Sequence, residues 1–307
     1  MGNGRWKSES YASYASDVKD TSRGALFSRS SHRDVAKSGQ NLDPEKIPFR
    51  ESRDSKSNPC STPVIVGLDV SGSMGIIAEK MAKGALGVMV GQILERQPVA
   101  DPHMLFMGIG DAVCSGGRGD QFPLQATQFE ADITICDQLT DIILEGGGGG
   151  NHFESYDLAW AFAARRTRTD AWEKRQAKGF LFTIGDEEFP ESSSHSYLKA
   201  IMGDDCPQSP TPESLLEDAQ ERYNVFHIIV AQGSYVRHRG AAGVEATWKK
   251  HLDKRALTLI DYEHVGEVIV SAIAVEAGRD VDEVIESWNG RAREVVKAAL
   301  LGTSHNG

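Results

Sequence analysis

The chain has 307 residues, is 40% apolar and carries a formal net charge of −11. That length accommodates one large α/β domain with extensions or two small domains, and the apolar fraction supports a real core. The acidic balance argues against a general nucleic-acid binder, because phosphate contacts need a basic surface.

The charge is uneven. Residues 1–58 hold 11 Lys/Arg against 8 Asp/Glu, a surplus of +3, which leaves −14 on the remainder. Such an arm can fold back on the acidic body, reach a partner or stay solvated. Residues 1–58 are polar and Ser-rich without a sustained period, so an extended or disordered arm is expected. Its last part, 41–58, reads as a lead-in packed on the domain. Cys60, Cys114, Cys136 and Cys206 are irregularly spaced with no C-x-x-C. With no signal-like apolar segment and no run of 18 apolar residues, free thiols in a cytoplasmic setting are the expectation, and no membrane is implied.

From Pro63 onward apolar runs alternate with helical stretches. The predicted strands are 64–68 (VIVGL), 104–109, a weaker and antiparallel 124–129, 179–184 (GFLFTI), 225–231 (VFHIIVA) and 257–260. The predicted helices are 76–95, 133–144, 155–166, 214–222, 244–252 and 265–277, with Thr211 as N-cap and Pro212 opening the fourth. The alternation predicts an α/β fold, a doubly wound, mostly parallel sheet with helices on both faces. The domain is expected over 59–278. Residues 279–307 form an amphipathic C-terminal helix opened by Asp280-x-x-Glu283. That helix packs on its own domain or docks on another subunit.

The densest chemistry lies where the first strand ends, at Asp69-Val70-Ser71-Gly72-Ser73. Asp69 offers an anionic oxygen, Ser71 and Ser73 neutral hydroxyls, and hard cations such as Mg²⁺ take oxygen ligands. In a doubly wound sheet ligands bind outside the carboxyl ends of the strands. Two further segments fall there, Glu145 to Ser155 (EGGGGGNHFES) before a helix and Thr183-Ile184-Gly185-Asp186-Glu187-Glu188 after a strand. Asp111 lies at another strand end and is a candidate for a supporting role.

The D-x-S-x-S motif, with two further loops in this order, resembles the metal-ion-dependent adhesion site (MIDAS) of von Willebrand factor A (vWA) domains. The resemblance covers about residues 60–278. It implies a vWA/Rossmann-like fold and a Mg²⁺ or Mn²⁺ site built from Asp69, Ser71 and Ser73. The family's second loop supplies a Thr that is missing here, so Asn151, Glu154 and Ser155 are the available oxygens. Ser155 is the mildest replacement. Glu154 either closes the site from within or pairs with Asn151 as a capping box. In the third loop the acid is displaced; Asp186 is the chosen ligand and Glu187 the alternative.

Other signals are weaker. The pentaglycine lacks the Gly-Lys-Ser/Thr of a P-loop. Arg118-Gly119-Asp120 reads as chance. His152 with Glu154 falls short of a zinc ligand set, and His227 reads as a hydrogen-bonded core histidine. No catalytic set is visible, so a non-enzymatic interaction module is expected. The chain looks like stand-alone vWA proteins of bacteria and phages, which implies a protein partner that presents an acidic residue. MoxR-type AAA+ ATPases are the implied partner class. The alternatives are a structural assembly or virion-associated protein that uses its arm and tail helix, and a metal-dependent hydrolase.

Overall fold

The computed structural model describes Gly4 and residues 42–113, 122–144 and 151–302. In chain order the strands are β1 (Arg50–Ser52), β2 (Thr62–Asp69), β3 (Pro102–Ile109), β4 (Leu124–Ala126), β5 (Thr167–Thr169), β6 (Gly179–Gly185), β7 (Tyr223–Val230) and β8 (Ala256–Leu259). The helices are α1 (Ile76–Lys80), α2 (Leu86–Arg96), α3 (Thr134–Leu139), α4 (Tyr156–Arg165), α5 (Asp170–Arg175), α6 (His195–Met202) and α7 (Pro212–Arg222). They continue with α8 (Ser234–Arg239), α9 (Ala241–Leu252), α10 (Val265–Glu276), α11 (Val281–Glu286) and α12 (Gly290–Leu301).

Six strands form one sheet in the order β4-β3-β2-β6-β7-β8. All pairs are parallel except β3–β4, which is antiparallel. The result is a mixed α/β fold, a mostly parallel sheet flanked by helices. The chain enters at β2, moves outward through β3 to β4, then returns to β6 on the other side of β2. The strand order therefore reverses between β2 and β6.

β2, β3 and β6 are buried nearly throughout, which is why their sequences read as continuous apolar runs rather than alternating ones. Successive residues still separate by pleat direction. Val64, Val66, Leu68, Phe180, Phe182 and Ile184 enter one core with residues of α1, α2 and α10. Ile65, Leu105, Met107, Leu181 and Val225 enter a second core with α4, α6, α7 and α9.

Several stretches refine the sequence reading. The 76–95 helix contains a π segment, Met81–Ala85, between α1 and α2. Of the arm expected over 1–58, the lead-in 41–58 packs on the domain as anticipated, from Leu42 onward. Leu42 and Ile47 are buried, and Arg50 Nη2 donates to the Ala126 carbonyl at 2.9 Å. β1 pairs in parallel with β5, and Asp54 accepts from Arg175 Nη1 at 2.7 Å. The rest of that arm, Gly4 apart, lies outside the described residues. The tail is two helices rather than one, broken around Trp288. Ile285, Trp288, Val295, Val296 and Ala299 are buried in the first core. Among the described residues no helix is long and apolar enough to cross a membrane.

Candidate metal centre

β2 is the strand beside which the order reverses, and it ends on Asp69, fully buried. The backbone N–H of Ser71 donates to Asp69 Oδ1 at 2.8 Å, a local turn that folds the chain back over the carboxylate. Ser71 Oγ and Ser73 Oγ lie 3.0 Å apart. Ser73 Oγ donates to Asp186 Oδ1 at 2.6 Å, and Tyr235 N–H donates to Asp186 Oδ2 at 2.8 Å. Asp69, Ser71, Ser73 and Asp186 thus form one connected set of oxygens at the carboxyl ends of β2 and β6.

Two glycines permit this closeness. A Cβ on Gly185 would stand 1.8 Å from the Tyr156 hydroxyl and 3.0 Å from Asp69 Oδ2. One on Gly233 would stand 2.2 Å from Asp186 Cβ. Neither contact is compatible with a side chain.

The second loop is placed differently. Asn151 Nδ2 donates to Asp111 Oδ2 at 2.8 Å and to the Val113 carbonyl at 2.6 Å. Ser155 Oγ accepts from Ala112 N–H at 2.9 Å and donates to Asp111 Oδ1 at 3.3 Å. Asn151 and Ser155 are therefore gathered on Asp111, at the end of β3, while Asp69, Ser71, Ser73 and Asp186 form their own set. The capping box between Asn151 and Glu154 does not form, because α4 begins at Tyr156 with Ser155 as its N-cap residue. Glu154 is buried beside that turn. The Glu145-to-Gly150 part of this loop, Arg118-Gly119-Asp120 and Cys114 lie outside the described residues.

Tyr156 joins the two groups, and sequence reasoning missed it. It follows Ser155 directly, and its hydroxyl donates to Asp69 Oδ2 at 3.3 Å. Its ring packs edge-on against His227 and Trp248 at centroid distances of 4.9 and 5.3 Å. His227 stacks flat on Trp248 and shares a 2.8 Å hydrogen bond with Thr183 Oγ1, the core role expected of it. The only available signal for Tyr156 was its position at the start of the helix after the Gly-rich loop.

The electrostatics are those of buried, crowded acids. Burial, and then the Asp186 charge, push the Asp69 carboxyl above its ordinary range. Burial raises Asp186 as well. Glu187 is pushed up to about 9 by burial and by the charges of Asp69, Asp186 and Asp111. Its Oε2 is buried with no hydrogen-bond partner among the described residues. The Tyr156 phenol is held neutral by burial and then by the charges of Asp69, Glu187, Glu154 and Asp186, so it remains a proton donor. Glu188, by contrast, accepts from Arg239 Nε at 2.7 Å and is a surface pair.

The donor set is carboxylate and hydroxyl oxygen, the preference of Mg²⁺ and Mn²⁺ rather than of softer metals. Among the described residues no three His, Cys, Asp or Glu side chains converge as a metal cage. A cation at this place would lean on the serine hydroxyls.

No protein-family model matches the chain, and no curated protein matches it. Among solved structures, the open conformation of the pilus adhesin SpaC from Lactobacillus rhamnosus GG is similar at 8% identity and a TM-score of 0.41. That alignment covers 78% of this chain and 31% of that one. A second structure of the same adhesin matches at 7% identity and a TM-score of 0.41, over 76% of this chain and 31% of that one. The chain thus spans about a third of SpaC's length, and a likeness this weak carries no weight for fold or function.

Proposed function

We propose that this chain is a vWA-like interaction module that binds Mg²⁺ or Mn²⁺ through Asp69, Ser71, Ser73 and Asp186 and holds an acidic residue of a protein partner there. The observation that carries the reading is the connected Asp69–Ser71–Ser73–Asp186 oxygen set, drawn from two loops 113 residues apart in sequence. The unpartnered buried Oε2 of Glu187 supports it, since crowded buried acids are costly and a divalent cation relieves that cost. The doubly wound arrangement of the family also accounts for the strand order and for two cores against one sheet.

When bound, the cation supplies concentrated positive charge and coordination positions for an external carboxylate. The protein's own residues do the rest. Tyr156 orients Asp69, Tyr235 N–H orients Asp186, and Asn151 and Ser155 hold Asp111 at the neighbouring strand end. No bond-making step belongs to this function. The family resemblance makes MoxR-type AAA+ ATPases the partner class to try first. A scaffold that docks through its tail is less favoured, because the apolar face of the tail lies in its own core.

The test is calorimetric titration of the full chain with MnCl₂ and MgCl₂, for wild type and Asp69→Ala, with circular dichroism to confirm folding. The expected result is saturable binding by wild type and none by a folded variant. Equal affinity in the two proteins would falsify the metal assignment.

A further inference from the structure

The proposed metal site has an acidic floor, yet one side of its rim is basic. α8 (SYVRHR) carries Arg237, His238 and Arg239, all exposed. This helix is fastened to the site. Ser234 donates to the Ser73 carbonyl through N–H at 3.2 Å and Oγ at 2.8 Å, and Tyr235 N–H bonds Asp186. Arg237 makes no ion pair among the described residues, and its charge acts on the Asp186 carboxylate. Arg239 is partly neutralised by Glu188, whose N–H in turn donates to the His152 carbonyl at 3.1 Å. Beside the first loop stands Ile76, 65% exposed.

A basic edge is unexpected on a body that carries −14 beyond residue 58. Arg237 is exposed, so its charge is open to a ligand as well as to Asp186. The edge suits a ligand with more negative charge than one metal-bound carboxylate. Resting on the metal reading above, we infer that the partner segment is an acidic peptide with several neighbouring carboxylates, one for the cation and others for the Arg237–His238 edge of α8. Charge complementarity at such a rim governs the encounter rate and the choice of partner more than it adds raw affinity. It weakens as salt rises.

The experiment uses the full chain loaded with Mn²⁺ and two fluorescein-labelled peptides, a tetraglutamate and a counterpart with one glutamate and glutamines elsewhere. Anisotropy gives affinities for wild type and R237E/H238E at low and high salt, and calorimetry gives Mn²⁺ binding for both proteins. Wild type is expected to prefer the tetraglutamate by roughly tenfold at low salt. The reversal variant should lose that preference while retaining Mn²⁺ binding. No preference in wild type, or an undiminished one in the variant, overturns the inference. So does displacement of the tetraglutamate by an oligothymidylate as readily as by unlabelled glutamate peptide, which would assign the edge to nucleic acid. Failure of the metal reading shows separately, as absent Mn²⁺ binding to wild type, and removes this inference with it.

Discussion

Tyr156 shows how much a single side chain can carry. Its hydroxyl reaches Asp69 Oδ2, and its ring is clamped by His227 and Trp248. Partners that orient a ligating carboxylate change metal affinity without touching the metal. Tyr156→Phe keeps the ring and its packing, so it is expected to weaken Mn²⁺ binding roughly tenfold while the urea midpoint moves little. Affinity is the deciding readout, because the variant removes only the hydroxyl contact to Asp69 and keeps the ring contacts; an unchanged affinity would leave Tyr156 a packing role alone. His103 makes the opposite kind of prediction, about stability. It is fully buried, its Nδ1 lies 3.2 Å from Ser52 Oγ, and burial lowers its pKa to about 4. The unfolded chain protonates this imidazole near 6.5, the folded chain only near 4. Below 6.5 the unfolded state therefore binds more protons, and stability falls as pH drops through that window. The loss reaches about 3 kcal/mol at most. Urea unfolding from pH 7 to 4 should show a smaller slope in His103→Gln. An unchanged slope would place the acid sensitivity elsewhere.

At the scale of elements, the tail separates what periodicity reveals from what it conceals. Apolar residues recur at three- and four-residue steps from Val281 to Leu300, which correctly predicts helix and a buried face. The spacing does not show that α11 stops at Glu286 and α12 restarts at Gly290. The Asn289-Gly290 dipeptide was the readable sign of a turn. The break sets Trp288 into the first core, where Nε1 donates to Ser271 Oγ at 2.8 Å and the Arg96 guanidinium lies 3.3 Å from the ring centroid. Trp288→Ala removes a buried aromatic, a hydrogen bond and a cation–π contact together. It is expected to cost about 3–5 kcal/mol in urea unfolding, and a loss under about 1 kcal/mol would mean that the tail is peripheral to the core. Short elements such as β1 and β5 escape sequence reading for a related reason. Three residues hold no period, and each strand exists because the other pairs with it.

The whole molecule does not divide where composition suggests. A cut at 59 and 278 follows the change in polarity, yet Leu42 and Ile47 on one side and Trp288, Val295 and Val296 on the other fill the two cores. A fragment of residues 59–278 is therefore expected to lose fixed packing. It should keep its far-UV signal, lose its near-UV signal and bind a hydrophobic dye. Cooperative unfolding of that fragment at the midpoint of the full chain would show that the flanks are appendages after all.

The sequence by itself determined the strand and helix alternation and the loops that follow the strands of the sheet. Those features are local, set by side-chain periodicity and turn chemistry within some ten residues. Tertiary structure decided which loop residues meet. Asp186 bonds Ser73, whereas Asn151 and Ser155 turn to Asp111, and Tyr156 reaches across to Asp69. Such pairings join residues 40 or more positions apart. They depend on strand register, on the missing side chains at Gly185 and Gly233, and on the angle at which each helix leaves the sheet. No local pattern encodes those quantities, because they are fixed only when both cores pack at once.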